Sequence, residues 1–332
     1  MKTEIYGTLG PACSDPEVLS EMLQAGMTGI RLNLSHISLK EADSLLQMVS
    51  DASARTGICP GILIDMQGPE LRTGRLKAEK ILKSGETCLL GAGGIPIPEI
   101  LSEYLEPGKR LLLDDGKILL SVREGGGKLW KAEVLRGGTL KSRKSIAIEG
   151  TQIPTPAVTE EDRANLRDAV RTGVRGVMQP FVRNREDLAE LKAAMREAGA
   201  EELRILAKIE NTDGVKQLDT FLDEADEIVI ARGDLGNSMP LWKLPAAQKE
   251  ISEICRKKNK PFMVVTQMLA SMEHSPVPTR AEVSDIFNAV LDGASSVMVT
   301  GETAAGEYPV ETIRCLANTV REAEEYIEKH KR

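Results

Sequence analysis

Lys208 and Glu210, two residues apart, close an apolar run built from Leu203, Ile205, Leu206 and Ile209. In an extended chain alternate side chains share a face, so this ammonium and this carboxylate are aimed the same way. An ion pair that merely ends a strand would use the same two residues. What separates a site from a staple is whether other strand ends carry the same chemistry, and here they do. Arg31, Asn33 and Ser35 alternate with leucines at the end of one run and are followed by His36; Asp65 ends another; Arg232-Gly233-Asp234, Thr266-Gln267 and Thr300-Gly301-Glu302 end three more. Brought to one rim, these residues offer hard oxygen ligands for cations and basic groups for anions. Mg²⁺ is usually held by one or two carboxylates plus substrate oxygens, and Glu210 with Asp234 is the best such pair. Asn33, Ser35 and Asp65 make a second, harder oxygen set. Lys208 is placed to neutralise developing negative charge, and the amides of Gly233-Asp234-Leu235-Gly236 begin a helix suited to a carboxylate or phosphate.

The elements that must position these groups follow from periodicity. Strands are expected over residues 3–9, 28–34, 61–65, around 176–179, through Lys208, and over 225–231, 261–266 and 296–300. Helices are expected from about 16 to 25, 39–55, 160–171, 185–198, 245–258, 280–291 and 309–329, with Asp15-Pro16 a clear start and Gly26, Gly57 and Gly199 clear stops. Asn211-Thr212-Asp213-Gly214 is expected to be a turn. Eight apolar strands, nearly all followed by helices, predict an α/β fold, a closed (β/α)₈ TIM barrel with its site at the C-terminal strand ends. The alternation breaks between Gly68 and Gly150, where no good helix is found. Short β-like runs at 86–90, 109–113, 118–123 and 129–135, with turns at Asp115-Gly116 and Gly125-Gly126-Gly127, predict a small all-β domain inserted after strand 3. The expected division is residues 1–68 and 151–332 for the barrel, and 69–150 for the insert.

Composition narrows the function classes. The chain is 41% apolar but only 3% aromatic, so its core must be aliphatic and no base-stacking surface is expected. A net charge of -7 argues against non-specific binding to nucleic acid or an anionic membrane. The five cysteines form no CxxC pair and the three histidines no cluster; with no signal-like start and no membrane-length apolar stretch, a reduced, cytoplasmic protein is expected.

The motifs together are similar to those of the pyruvate kinase family over nearly the whole chain. They are Thr8-Leu9-Gly10-Pro11-Ala12, Arg31-Leu32-Asn33-Leu34-Ser35-His36, Asp65 with residues 68–74, Leu206-Ala207-Lys208-Ile209-Glu210-Asn211, Ala231–Gly236, Thr266-Gln267-Met268-Leu269, residues 278–282 and Gly301-Glu302-Thr303-Ala304. The resemblance implies a barrel with a β-rich lid inserted after strand 3, moving a phosphoryl group from phosphoenolpyruvate to ADP to give pyruvate and ATP. It implies Mg²⁺ or Mn²⁺ on Glu210 and Asp234, and K⁺ on Asn33, Ser35, Asp65 and the carbonyl of Met66. Lys208 would stabilise charge on the phosphoryl group and the enolate oxygen. Arg31 would meet phosphate, the amides of Gly233 and Asp234 would hold the substrate carboxylate, and Thr266 would lie on the protonation path, with Thr300 keeping the hydroxyl of the family's serine. Asn33, His36, Arg72 and Lys144 are implied at the nucleotide, and Glu70 is the residue type linked to K⁺ dependence. Any homo-oligomer is expected to form through the barrel.

Several positions depart from the family pattern. Met66-Gln67 stands where Thr-Lys is usual, Gln179-Pro180-Phe181 replaces a Ser-Phe pair, Ala305 replaces a lysine, and the insert is shorter after Leu76. The chain also ends after the eighth helix, where typical members continue into an effector-binding domain, so control through that domain is not expected. These departures keep two rivals in view: a divergent paralogue using the metal–enolate site on another acceptor or enolpyruvate-like substrate, and an inactive phosphoenolpyruvate-binding protein.

Overall fold

The computed structural model describes residues 2–35, 37–114, 116–151 and 153–330. They form two compact units, Met1–Gly68 with Ala157–Arg332, and Pro69–Pro156. In chain order the first unit begins β1 (Glu4–Thr8), α1 (Pro16–Ala25), β2 (Gly29–Asn33), α2 (Asp43–Thr56) and β3 (Gly61–Asp65). The second holds β4 (Lys80–Leu82), β5 (Thr87–Gly91), α3 (Glu99–Ser102), β6 (Arg110–Leu113), β7 (Ile118–Gly126), β8 (Leu129–Arg136), β9 (Gly138–Leu140) and β10 (Ile146–Ile148). The first then resumes with α4 (Glu160–Ala169), β11 (Val174–Gln179), α5 (Arg185–Ala198), β12 (Arg204–Ile209), α6 (Thr212–Phe221), β13 (Glu227–Ala231) and α7 (Arg232–Asn237). It ends with α8 (Leu244–Lys257), β14 (Phe262–Val265), α9 (Arg280–Leu291), β15 (Ser296–Val299), α10 (Gly301–Ala304) and α11 (Pro309–His330).

Eight parallel strands close a barrel in the order β1-β15-β14-β13-β12-β11-β3-β2, and β1 pairs with β2 to complete the ring. The expected TIM barrel is the observed fold. Parallel strands covered on both faces must be apolar throughout, and β13, β14 and β15 are buried at every position. Tyr6, Leu63, Met178, Leu206, Val229, Ala231, Met263, Val265 and Met298 form one buried cluster contributed by the strands. Its single aromatic ring matches the aliphatic core that the composition requires, and Met268 and Met272 are buried as well. Asp15 caps α1 by accepting from Glu17 N, Pro16 sits in the first turn, and Gly26 ends the helix at φ 119°.

Two local expectations are corrected. Asn211–Gly214 is the start of α6, not a free turn: the Asn211 side chain accepts from Gly214 N at 2.7 Å and serves as N-cap. Gly214 masks the helix signal, but a Cβ there would lie 2.5 Å from Val182 O, so packing demands the glycine. The stretch expected to lack helix carries one turn of it, at Glu99–Ser102.

The second unit consists of a five-stranded antiparallel sheet, β10-β6-β7-β8-β5, and the ribbon β4-β9. Its own core includes Leu90, Leu111, Leu113, Leu120, Trp130 and Val134. The β7–β8 turn is Gly127-Lys128, with Gly127 at φ 58°, while Gly125 and Gly126, expected in the turn, are still paired in β7. The expected turn residue Asp115 lies outside the described residues.

Candidate active site

Strands that end level deliver their last side chains to one place. Asn33 of β2 is register partner to Asp65 of β3, which is in turn partner to Met178 of β11. Two strands along from β3, β12 carries Lys208. Its Nζ lies 3.1 and 3.0 Å from the two oxygens of Asp65 and 3.1 Å from Glu210 Oε1. Arg31 donates to Asp65 Oδ2 from Nε at 2.9 Å and Nη2 at 2.6 Å, and to Thr8 Oγ1 from Nη1 at 3.2 Å. Lys208 and Glu210 do share a face, although β12 ends at Ile209. The ion pair that could have been only structural therefore exists, and it belongs to a larger cluster. The exposures of Lys208, Asp65, Glu210 and Arg31, at 12%, 2%, 3% and 13%, show how little water competes for them.

Burial and charge act against one another here. Burial opposes ionisation of Asp65, but the Lys208 and Arg31 cations outweigh it and hold the carboxyl below its ordinary range. Burial likewise opposes the Lys208 ammonium, yet the carboxylates of Asp65 and Glu210 raise its pKa, so Lys208 stays charged at neutral pH. Glu210 is different. Burial, then the carboxylates of Asp234 and Asp65, push it up to about 7 against the pull of Lys208 and the Phe181 amide. Two carboxylates that raise one another's cost of ionisation are what an added cation would relieve. Among the described residues no group of three or more His, Cys, Asp or Glu is placed to hold a metal. A site here would therefore be a two-carboxylate one, leaving further coordination to substrate oxygens and water, the usual Mg²⁺ arrangement.

The rim continues through β13, β14 and β15. Thr266 and Gln267 adopt φ of 79° and 55°, and a β-branched residue in that region is strained. Arg232 holds the strained turn: Nε and Nη2 donate to Thr266 O at 3.1 and 2.8 Å, Nη2 also donates to Gln267 O at 3.2 Å, and Nη1 pairs with Asp285 at 2.6 Å. Buried Glu302 closes the far side by accepting from Leu269 N at 3.1 Å and Thr300 N at 2.7 Å, while the Thr300 hydroxyl donates to it at 3.3 Å. Gly233, the second residue of α7, lies so close to Thr266 that a Cβ would come 3.1 Å from its Cγ2. Arg232→Ala is expected to cost about 2 kcal/mol, since it strips charged hydrogen bonds from the carbonyls of the strained Thr266-Gln267 turn. Denaturant unfolding will read the loss.

The remaining expected site residues are placed as follows. Ser35 is not part of the β2 alternation: β2 ends at Asn33, and Asn33 Oδ1 accepts from Ser35 N at 3.1 Å within the turn that follows. Met66 is buried just beyond β3, its amide donating to Met178 O at 3.2 Å. Arg72 and Lys144 belong to the second unit, where Thr73 N donates to Lys144 O at 2.8 Å, Arg72 is ion-paired with Glu70, and Lys144 pairs with Asp114 at 2.8 Å. His36 lies outside the described residues. Thr8, Phe181 and Glu302 contribute without having been given roles from sequence. Phe181 gives its main-chain N–H to Glu210 Oε2 at 2.8 Å, a role that no side-chain motif encodes. The sequence marks Glu302 only as one of the polar strand ends, and its buried carboxylate is bonded, as burial demands. No described helix is long and apolar enough to cross a membrane, and all five cysteines are free thiols.

Comparison with known proteins gives a consistent picture. A family model described as "Pyruvate kinase, barrel domain" matches residues 1–313. Relatives named pyruvate kinase include those of Methylorubrum extorquens, 38% identical over 97% of this chain and 69% of the relative, and Geobacillus stearothermophilus, 37% identical over 98% and 58%. That of Bacillus licheniformis is 35% identical over 100% of this chain and 58% of its own length, so the chain spans little more than half of two of these three relatives.

Proposed function

The chain belongs to the pyruvate kinase family, and from that premise we propose that it transfers a phosphoryl group from phosphoenolpyruvate to ADP, giving pyruvate and ATP in the cytoplasm. The observation that carries the proposal is the lysine held between two buried carboxylates at the rim, Lys208 Nζ within 3.1 Å of both Asp65 and Glu210. Phosphoryl transfer asks a protein mainly for position and charge, and this cluster supplies both.

Glu210 and Asp234 would hold Mg²⁺ or Mn²⁺, which supplies positive charge to the phosphoryl and enolate oxygens. Lys208 offers its ammonium to the same developing charge. The carboxylates of Asp65 and Glu210 favour its protonated form, so it acts as a fixed cation at neutral pH. Arg31 extends toward phosphate while anchored to Asp65, the amides of Gly233 and Asp234 orient the substrate carboxylate, and Thr266 keeps its hydroxyl where the enolate carbon takes up a proton. For K⁺, the oxygens of Asn33, Ser35, Asp65 and the Met66 carbonyl are of the right kind. Asp65 Oδ2 accepts twice from Arg31 and once from Lys208, whereas Oδ1 accepts, among the described residues, from Lys208 alone and keeps capacity for another cation. Thr300 lines the β15 side. Asn33, His36, Arg72 and Lys144 are the residues proposed for the nucleotide.

The test is pyruvate formation from phosphoenolpyruvate and ADP with Mg²⁺, comparing K⁺ with Na⁺. Turnover that needs K⁺ is expected, since Glu70 is present. Turnover should fall at least tenfold in Glu210→Gln through weaker metal binding. No turnover, with metal-dependent phosphoenolpyruvate binding retained, would reject this acceptor in favour of another or of a binding role.

A further inference from the structure

Glu210 is fixed from a direction that its own strand does not supply. Beyond β11 the chain turns a corner at Gln179-Pro180-Phe181, with Phe181 at φ 55°. Left-handed backbone costs a residue with a side chain about 1 kcal/mol, so something must hold it there. The turn aims the Phe181 N–H at Glu210 Oε2, 2.8 Å away, and the next residue ties the corner to β12, Val182 N donating to Lys208 O at 3.2 Å. The corner is held from behind in two places. Gln179, fully buried, donates from Nε2 to Ala157 O at 2.7 Å. The Pro180 ring lies directly on Gly68, where a Cβ would come 2.2 Å from Pro180 Cγ. Gly68 cannot yield, because its own φ is 61° and its amide donates to Asp162 Oδ2 at 3.1 Å, beside Gln67 N on Oδ1 at 2.9 Å. Asp162 is buried and locked into the capping box that starts α4.

A continuous line of contact thus runs from Asp162 through Gly68 and Pro180 to the Phe181 amide and Glu210. We infer that Pro180 and Phe181 are positioning residues for the metal-binding carboxylate of Glu210, and that in this chain a side chain at position 68 would push on the Pro180 ring and through it on that carboxylate. The inference rests on the metal assignment proposed above. It gives a purpose to the Pro180 substitution: the ring has no amide hydrogen to offer a ligand, but it sets the angle at which the following amide is presented.

The experiment is a Mn²⁺ titration of the whole chain without substrate, read by electron paramagnetic resonance of the free ion. Gly68→Ala should bind Mn²⁺ about tenfold more weakly, as removing an outer-shell support of a metal ligand does. Gly68→Ala combined with Pro180→Ala should return to within about threefold of Pro180→Ala alone, because Gly68→Ala and the double variant share the strained φ of residue 68 and differ in the clash, which the double variant relieves. Should Gly68→Ala not fold, Phe181 carries the test. Phe181→Gly keeps the left-handed corner and should bind Mn²⁺ within about twofold of the parent, whereas Phe181→Val should bind about tenfold more weakly. A folded Gly68→Ala with parental Mn²⁺ affinity, or equal affinities for Phe181→Gly and Phe181→Val, overturns the inference. Glu210→Gln separates the two levels. If it loses Mn²⁺ while Gly68→Ala does not, this inference alone falls; if it binds Mn²⁺ like the parent, the metal assignment falls and this inference with it.

Discussion

Lys208→Ala is expected to lose phosphoryl transfer by about 10³-fold or more while still binding Mn²⁺. The size follows from where the lysine sits. Its side chain is only 12% exposed, so water screens little of the charge it faces. Removing it also leaves Glu210 beside Asp65 and Asp234 with the principal charge lowering its pKa gone. The vacated pocket is then more negative, and Mn²⁺ should bind at least as tightly as before. A variant that loses turnover and keeps the ion separates charge stabilisation from metal binding, which Glu210→Gln cannot do. Pyruvate formation under saturating substrate and a Mn²⁺ titration of the same sample make the comparison. Near-parental turnover in Lys208→Ala would sink the mechanism.

Asp65→Asn should be the most destabilising single change in the cluster, by about 3–5 kcal/mol. Asp65 is the shared anion of two buried cations, and its amide replacement leaves the Arg31 guanidinium without a counter-charge and Lys208 with only Glu210. The pH dependence has a definite sign. The folded carboxyl titrates below its ordinary value, so the stability it contributes is present above about pH 4 and is lost as pH falls through the lower folded value. The gap between parent and Asp65→Asn should therefore be full at pH 7 and shrink steadily below pH 4. Urea midpoints at pH 7, 4 and 3 decide it; a gap independent of pH would show that shape and not charge made the difference.

The parts of the fold that rest on one residue's neighbours along the chain were legible in the sequence. Asp15-Pro16 and Gly26 bound α1 as written, and the eight apolar runs became the eight barrel strands. The rim was legible for a related reason: a charged residue that ends an apolar run has nowhere to point but the strand end, and Lys208, Glu210, Asp65 and Arg31 all meet there. What stayed hidden depends on residues distant in sequence. Gly214 argues against helix locally, and only the approach of Val182 explains it. Phe181 enters the site through its backbone, and main-chain hydrogen bonds leave no mark on residue type. The strain at Thr266-Gln267 is unreadable because its cause, the Arg232 guanidinium, lies a strand away.

The ring closes between its first strand and its last, Gly7 opposite Val299, with Thr8 N donating to Thr303 Oγ1 at 3.0 Å. On the ribosome this is a matter of waiting. β2 can cover one edge of β1 early, but nearly three hundred residues must be made before β15, its partner on the other edge, exists, on the order of 15–60 s at typical rates of synthesis. Until then β1 offers an apolar edge to any passing strand. A strand edge left open that long is an aggregation hazard during synthesis, and slowed translation just upstream of β15 would prolong it.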